Sequence, residues 1–171
     1  MQNLGPKIFS KLSGNPSPFN LKILSLLMDQ TIPFNAPHGF KLLKISHERV
    51  QSLIPYKKRN FNHIKGIHAT ALATIGEFVA GLCLLMNFKT DQYRFILAEL
   101  NVKYHYQAKT DITATAELPS NKLNLCLKEI KENQKSLIEM KSELYDKQKN
   151  HVATVTTTWQ IKPWSQVKTK V

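Results

Sequence analysis

Residues 67–86 read IHATALATIGEFVAGLCLLM, a run in which Glu77 is the one Asp, Glu, Lys or Arg. Its length matches a membrane-spanning helix. A carboxylate at mid-span costs about 3 kcal/mol in lipid, however, and His68, Thr70 and Thr74 dilute the run further. Ala and Gly fill many of the remaining positions. A helix over 69–86, buried inside a folded domain, is the better reading.

The flanks explain what buries it. Upstream, residues 40–46 and 48–54 are two short candidate strands meeting near His47, and 56–66 (YKKRNFNHIKG) is a basic loop. Downstream, 95–106 alternates with Ile96, Ala98, Leu100, Val102, Tyr104 and Tyr106 on one face. Residues 111–118 alternate with Ile112, Ala114, Ala116 and Leu118 on one side. A helix follows over 120–135, with Ser120 as N-cap and Leu123, Leu127 and Ile130 along one face. Strands over 137–145 and 151–161 flank a polar turn, and Ala153, Val155, Thr157, Trp159 and Ile161 share a side. Antiparallel strands need one face covered, and 69–86 is the one segment apolar enough to be wrapped all round. A curved antiparallel sheet around one long central helix, an α+β domain, is the economical architecture.

Ahead of it, residues 1–18 read as a loosely held arm, and 20–29 as a short amphipathic helix. The expected divisions are an arm with its helix over 1–39, the main domain over 40–163 and a tail over 164–171. The chain has 171 residues, a 42% hydrophobic share, 6 Gly and 8 Pro, which excludes a disordered or collagenous class. Cys83 and Cys126 sit among leucines with no CxxC spacing or neighbouring His, so neither a metal site nor a disulfide framework is expected. Residues 1–19 lack a secretory h-region, and a cytoplasmic location is expected.

Thr70, Thr74, Glu77 and Gly81 recur at helical spacing, drawing a small and polar stripe along the apolar rod. An ionised Glu77 there needs a partner or a raised pKa. At the helix start, free backbone N–H groups and the positive dipole end can polarise a carbonyl oxygen around His68 and Ala69. Gly66 lets the backbone come close to a ligand, and Asn62 supplies a side-chain amide. A polarising site together with a carboxylate is what hydrolysis of an activated ester requires. Each residue also has an ordinary structural reading: a capping histidine, or a glutamate paired at an interface.

Asn62-His63-x-x-Gly66-x-His68-Ala69, then Ala71-Leu72 and Glu77-Phe78-x-Ala80-Gly81, resembles the helix-start motif of hotdog-fold acyl-CoA thioesterases. The similarity is to the phenylacetyl-CoA thioesterase-like branch and most of all to its DUF4442 relatives. In that branch an Asn or Gln precedes a His by six residues, and an Asp or Glu follows it by nine. The run from Glu143 to Trp159 is similar to the group's closing hairpin, and the resemblance covers about residues 40–162. It implies a hotdog fold and acyl thioester hydrolysis. Glu77 would be the nucleophile or general base, Asn62 would orient water or substrate, and His68 and the Ala69 N–H would hold the carbonyl. It also implies a homodimer or homotetramer with sites at the interface. The branch usually has His-x-Gly where this chain has His68-Ala69-Thr70, so Thr70 narrows the acyl path.

The net charge of +12 calls for a partner. Lys57, Lys58 and Arg59 could meet coenzyme A phosphates, Thr70 and Thr74 would line the acyl path, and an acidic acyl-carrier protein would also suit a basic surface. No cofactor beyond the thioester substrate and no metal is expected. A non-catalytic acyl-CoA or lipid binder on the same fold is the alternative reading. Nucleic-acid binding is the remote one, because no recognition motif accompanies the charge. Contact with a membrane surface through the 20–29 helix fits either reading of the fold.

Overall fold

The computed structural model describes Ser13 and residues 16–168. The loose arm expected over 1–18 falls largely outside the described residues, as does the end of the tail. The elements are α1 (Pro18–Thr31), β1 (Lys41–Ile45), β2 (Arg49–Ile54), α2 (Ala69–Asn87), β3 (Tyr93–Tyr104), β4 (Ile112–Glu117), α3 (Ser120–Asn133), β5 (Ser136–Asp146) and β6 (His151–Pro163). The six strands form one antiparallel sheet in the order β1-β2-β4-β5-β6-β3. α2 packs on its inner face against β2, β4, β5 and β6. The fold is the hotdog fold, as the resemblance implied.

Alternation decides which side of each strand meets the helix. Ile112, Ala114 and Ala116 of β4, Ile138, Met140, Ser142 and Leu144 of β5, and Val155, Trp159 and Ile161 of β6 are buried together. The polar residues between them face outward, as the period of two requires.

The seat of α2 is set at Gly76. A Cβ there would stand 2.4 Å from Val155 Cγ2, closer than any side chain can come. On the same residue, the buried Ser142 hydroxyl donates to the Gly76 carbonyl at 2.7 Å. The missing side chain lets the backbone approach the sheet, and the hydroxyl then satisfies its own hydrogen bond there.

Three details depart from the sequence expectation. A bulge between Leu97 and Glu99 shifts β3 by one residue against β6. One residue of slip reverses the facing of everything beyond it. Ile96, opposite Gln160, therefore lies on the outer face, whereas Leu100, Val102 and Tyr104, opposite Thr157, Val155 and Ala153, lie on the inner one. Ser120 is the first helical residue of α3 rather than its cap, which is Pro119. α3 buries Cys126 and Ile130 and leaves Leu127 exposed, so Cys126 takes the place expected of Leu127.

The two sheet edges are treated differently. At β1 the Leu42 N–H donates to Ser25 Oγ of α1 at 2.9 Å, so a helix covers that edge. β3, twelve residues long, has β6 on one side and no strand on the other among the described residues. Such an open edge is a template for pairing with another chain.

Gly76→Ala is expected to destabilise the protein by about 2 kcal/mol or more, because the new methyl group overpacks against Val155. Combining it with Val155→Ala should recover part of the loss. Urea denaturation of the two single variants and the double variant reads the coupling directly.

Candidate functional site

α2 is not wrapped all round. Ala69 and Thr70 are exposed, and Ala73, Thr74, Glu77 and Gly81 are half-buried, because the helix barely touches β3. The stripe noted in the sequence is thus the open face of the central helix.

Glu77 has no hydrogen bond or ion pair to any described residue, and burial pushes its carboxyl above the ordinary glutamate range. It rests over Gly81, where a Cβ would lie 3.9 Å from Glu77 Oε1 and 3.3 Å from the Trp159 ring. The indole N–H is occupied inside the sheet, donating to Thr157 Oγ1 at 2.9 Å. Trp159 therefore turns its carbon edge toward Gly81, and the carboxylate sits beside apolar surface with nothing to neutralise it.

The segment before α2 is firmly built. Asn62 Oδ1 accepts from the Ile64 and Gly66 N–H groups at 3.1 and 2.9 Å, which closes the turn and leaves the amide hydrogens without a partner among the described residues. Lys65 takes the left-handed conformation that the turn needs. The Tyr56 hydroxyl donates to the Lys65 carbonyl at 2.5 Å, and the Tyr56 N–H donates to Asp111 at 2.7 Å. That bond and the Lys147 ammonium hold Asp111 below the usual carboxylate range. The buried Asn60 side-chain amide donates to the Pro55 and His38 carbonyls, and the Asn60 main-chain carbonyl accepts from the His68 N–H.

His68 is the N-cap of α2. Its Nδ1 accepts from the Thr70 N–H at 3.2 Å and lies 2.7 Å from the Thr70 hydroxyl, which leaves the ring hydrogen on Nε2. Ala69 is then the first helical residue, where a backbone N–H has no intrahelical acceptor. The cleft beside it is lined by Asn62, Gly66, Ala69, Leu72, Tyr104 and Lys109, among others. The Tyr104 hydroxyl donates to the Ala69 carbonyl at 2.9 Å, and burial raises its pKa.

The structure brings Asn62, Gly66 and Ala69 together at this cleft and leaves Glu77 elsewhere. From Ala69 to Glu77 the helix rises about 12 Å, too far for both to act on one carbonyl within a single chain. Thr70 caps against His68, and the Thr74 hydroxyl donates to the Thr70 carbonyl at 2.8 Å. Lys57, Lys58 and Arg59 do not line the cleft, and Lys109 does. Arg59 instead lies over Gly39, where its guanidinium acts on Asp29. Both cysteines are free and buried, and burial pushes the Cys83 thiol up to about 12.

Asn60, Asp111, Tyr104 and Lys109 escaped sequence reasoning. They are isolated in the chain and meet only through the crossing of loops, so no spacing announces them. Trp159 shares a side with Val155 and Ile161 in the sequence pattern, but its nearness to Gly81 and Glu77 follows only from packing.

Because burial raises the Glu77 carboxyl, ionising it opposes folding. Its contribution is intact below the ordinary value of 4.5 and is lost as pH climbs through the raised value. Glu77→Gln should match wild type in stability near pH 4 and exceed it at pH 7, as thermal or urea melts across that range will show.

The family whose model matches residues 21–161 is a domain of unknown function, DUF4442. No curated protein matches the chain. Among solved structures, a Pseudomonas aeruginosa protein of unknown function, described as a probable thioesterase, is 25% identical with a TM-score of 0.77. That match covers 86% of this chain and 97% of the other. A Staphylococcus aureus thioesterase mutant is 17% identical with a TM-score of 0.64, covering 77% and 99% of the two chains. A Haemophilus influenzae thioesterase, 10% identical with a TM-score of 0.67, covers 90% and 95%. With a match over more than four-fifths of its length and this sheet wrapped on this helix, the chain belongs to the DUF4442 family, on the hotdog fold it shares with these thioesterases.

Proposed function

We propose that the protein hydrolyses acyl thioesters of coenzyme A or an acyl-carrier protein, releasing a free acid and a thiol, as a homodimer or larger homo-oligomer. The observation that carries this reading is Glu77, an unpartnered carboxylate held on the open face of the central helix. Burial strengthens it as a base. In the proposed reaction the Ala69 N–H polarises the thioester carbonyl and the Asn62 amide hydrogens orient water. Glu77 takes a proton from that water as its oxygen bonds to the carbonyl carbon. The carbon–sulfur bond then breaks, and the proton passes to the departing thiolate.

The separation of about 12 Å between Ala69 and Glu77 is why a second copy enters the proposal. A two-fold pairing of two β3 edges would lay two α2 helices side by side in opposite directions. Glu77 of one copy would then face the helix start of the other. The open edge and open helix face support this arrangement, since both lie on the side of the molecule that β1 and α1 leave alone. The His68–Thr70 contact favours one second reading. It fills part of the helix start, and a protein that binds acyl-CoA without turnover would tolerate that.

Free-thiol release from short, long and aromatic acyl-CoAs is the test. Wild type should turn over at least one of them, and Glu77→Gln should cut the rate by about a hundredfold or more. Ala69→Pro offers an independent probe. Proline is tolerated at the first helical position, and His68 already has the extended conformation (ψ 141°) that a following proline requires. It removes only the N–H, and a loss of about a hundredfold is expected. Mixing the two inactive variants should restore about a quarter of wild-type activity, because mixed dimers would hold one intact site. Turnover unaffected by Glu77→Gln would overturn its role. Binding of acyl-CoA without turnover by a folded dimer would establish the second reading.

A further inference from the structure

We propose that the outward face of α1 docks on an anionic lipid surface. This goes beyond the thioesterase reading and does not depend on it. α1 is apolar on two sides. Its inner side is engaged: Leu24 and Met28 are buried in the core, and Ser25 holds the β1 edge through the Leu42 N–H. Its outer side carries Phe19, Lys22, Ile23 and Leu26, spaced at i, i+3, i+4 and i+7 and so within one arc of the helix. Phe19 is 71% exposed and Leu26 58%, and Phe34, just past the end of α1, is 73% exposed. Of the two apolar sides, the inner one is covered by the core and the outer one is left to solvent.

Charge selects the occupant. Residues 1–28 contain Lys7, Lys11 and Lys22 and no Asp or Glu. The one acid of α1, Asp29, is half-buried and lies in the field of Arg59. On β1, the strand that α1 packs against, Lys41 and Lys44 are exposed. Exposed aromatic and aliphatic side chains interleaved with lysines are the composition of a helix lying in the headgroup layer of an anionic bilayer. Membrane contact there would place the protein where long-chain acyl compounds partition.

The test is flotation of the full-length protein with vesicles of phosphatidylcholine alone or mixed with phosphatidylglycerol, at low and physiological salt. Wild type should float with the mixed vesicles, weaken as salt rises, and stay behind with the neutral ones. Phe19→Ser with Leu26→Ser, both at exposed positions, should reduce binding at least about tenfold. Lys22→Glu with Lys41→Glu should abolish it, with circular dichroism and melting unchanged. Absence of binding to anionic vesicles at low salt would overturn the proposal, as would equal binding by the serine double variant. If light scattering showed that variant to have a smaller assembly mass while wild type ignored vesicles, the face would belong to a second copy and the proposal would fall.

Discussion

The contact between Gly76 and β6 governs the rest of the molecule. Where a larger residue would hold α2 off the sheet, Gly76 brings its backbone against Val155, and Ser142 closes the gap with a hydrogen bond to the Gly76 carbonyl. Close packing leaves no room to relax around such a point, so the position of the helix is set there. The depth and rotation of α2 then determine what its remaining faces meet. Three sides press on β2, β4, β5 and β6, and the fourth, bearing Thr70, Thr74, Glu77 and Gly81, is left over. That open face is a consequence of where the helix can sit.

The same logic sets the chemistry of Glu77. A carboxylate on a fully solvated helix face would titrate normally, and one fully enclosed by the sheet would need a cation. Glu77 is between these limits, sheltered by Gly81 and the carbon edge of Trp159 yet open on one side. Its neighbour Gly81 matters for a reason distinct from that of Gly76, since it makes space for the carboxylate and the indole together. The helix start is held independently by Asn60, Asn62, Tyr56 and Asp111. Two rigid parts about 12 Å apart on one rod are what a two-fold assembly can bring into register and a single chain cannot.

The two edges of the sheet are unequal. Covering β1 with α1 spends the inner side of that helix and blocks pairing there, which leaves β3 as the edge open to another chain. The bulge after Leu97 turns Leu100, Val102 and Tyr104 to the inner face, toward the exposed side of α2. Tyr104 reaches far enough to bond the Ala69 carbonyl, tying the open strand to the start of the helix.

Much of this was legible in residue order. A twenty-residue apolar run with one carboxylate and interspersed Ala and Gly specifies a core helix, and clean alternation over 111–118 and 151–161 specifies strands with one buried face, because local period and burial are the same constraint. The spacing of Asn62, His68 and Glu77 was also readable, since it needs only the chain and a helical repeat. What pattern could not supply is whatever depends on two segments meeting. The bulge in β3 turned an apparently regular face over, and Cys126 rather than Leu127 was drawn into the core. Wrapping of α2 stopped short of the face with Glu77, and Arg59 went to lie over Gly39 while Lys109 came to the cleft. Sequence determined the elements and the residues able to do chemistry, because propensity and periodicity act within a segment. Tertiary structure alone decided which of them share a surface, because that is settled by how closely the helix and sheet backbones can approach.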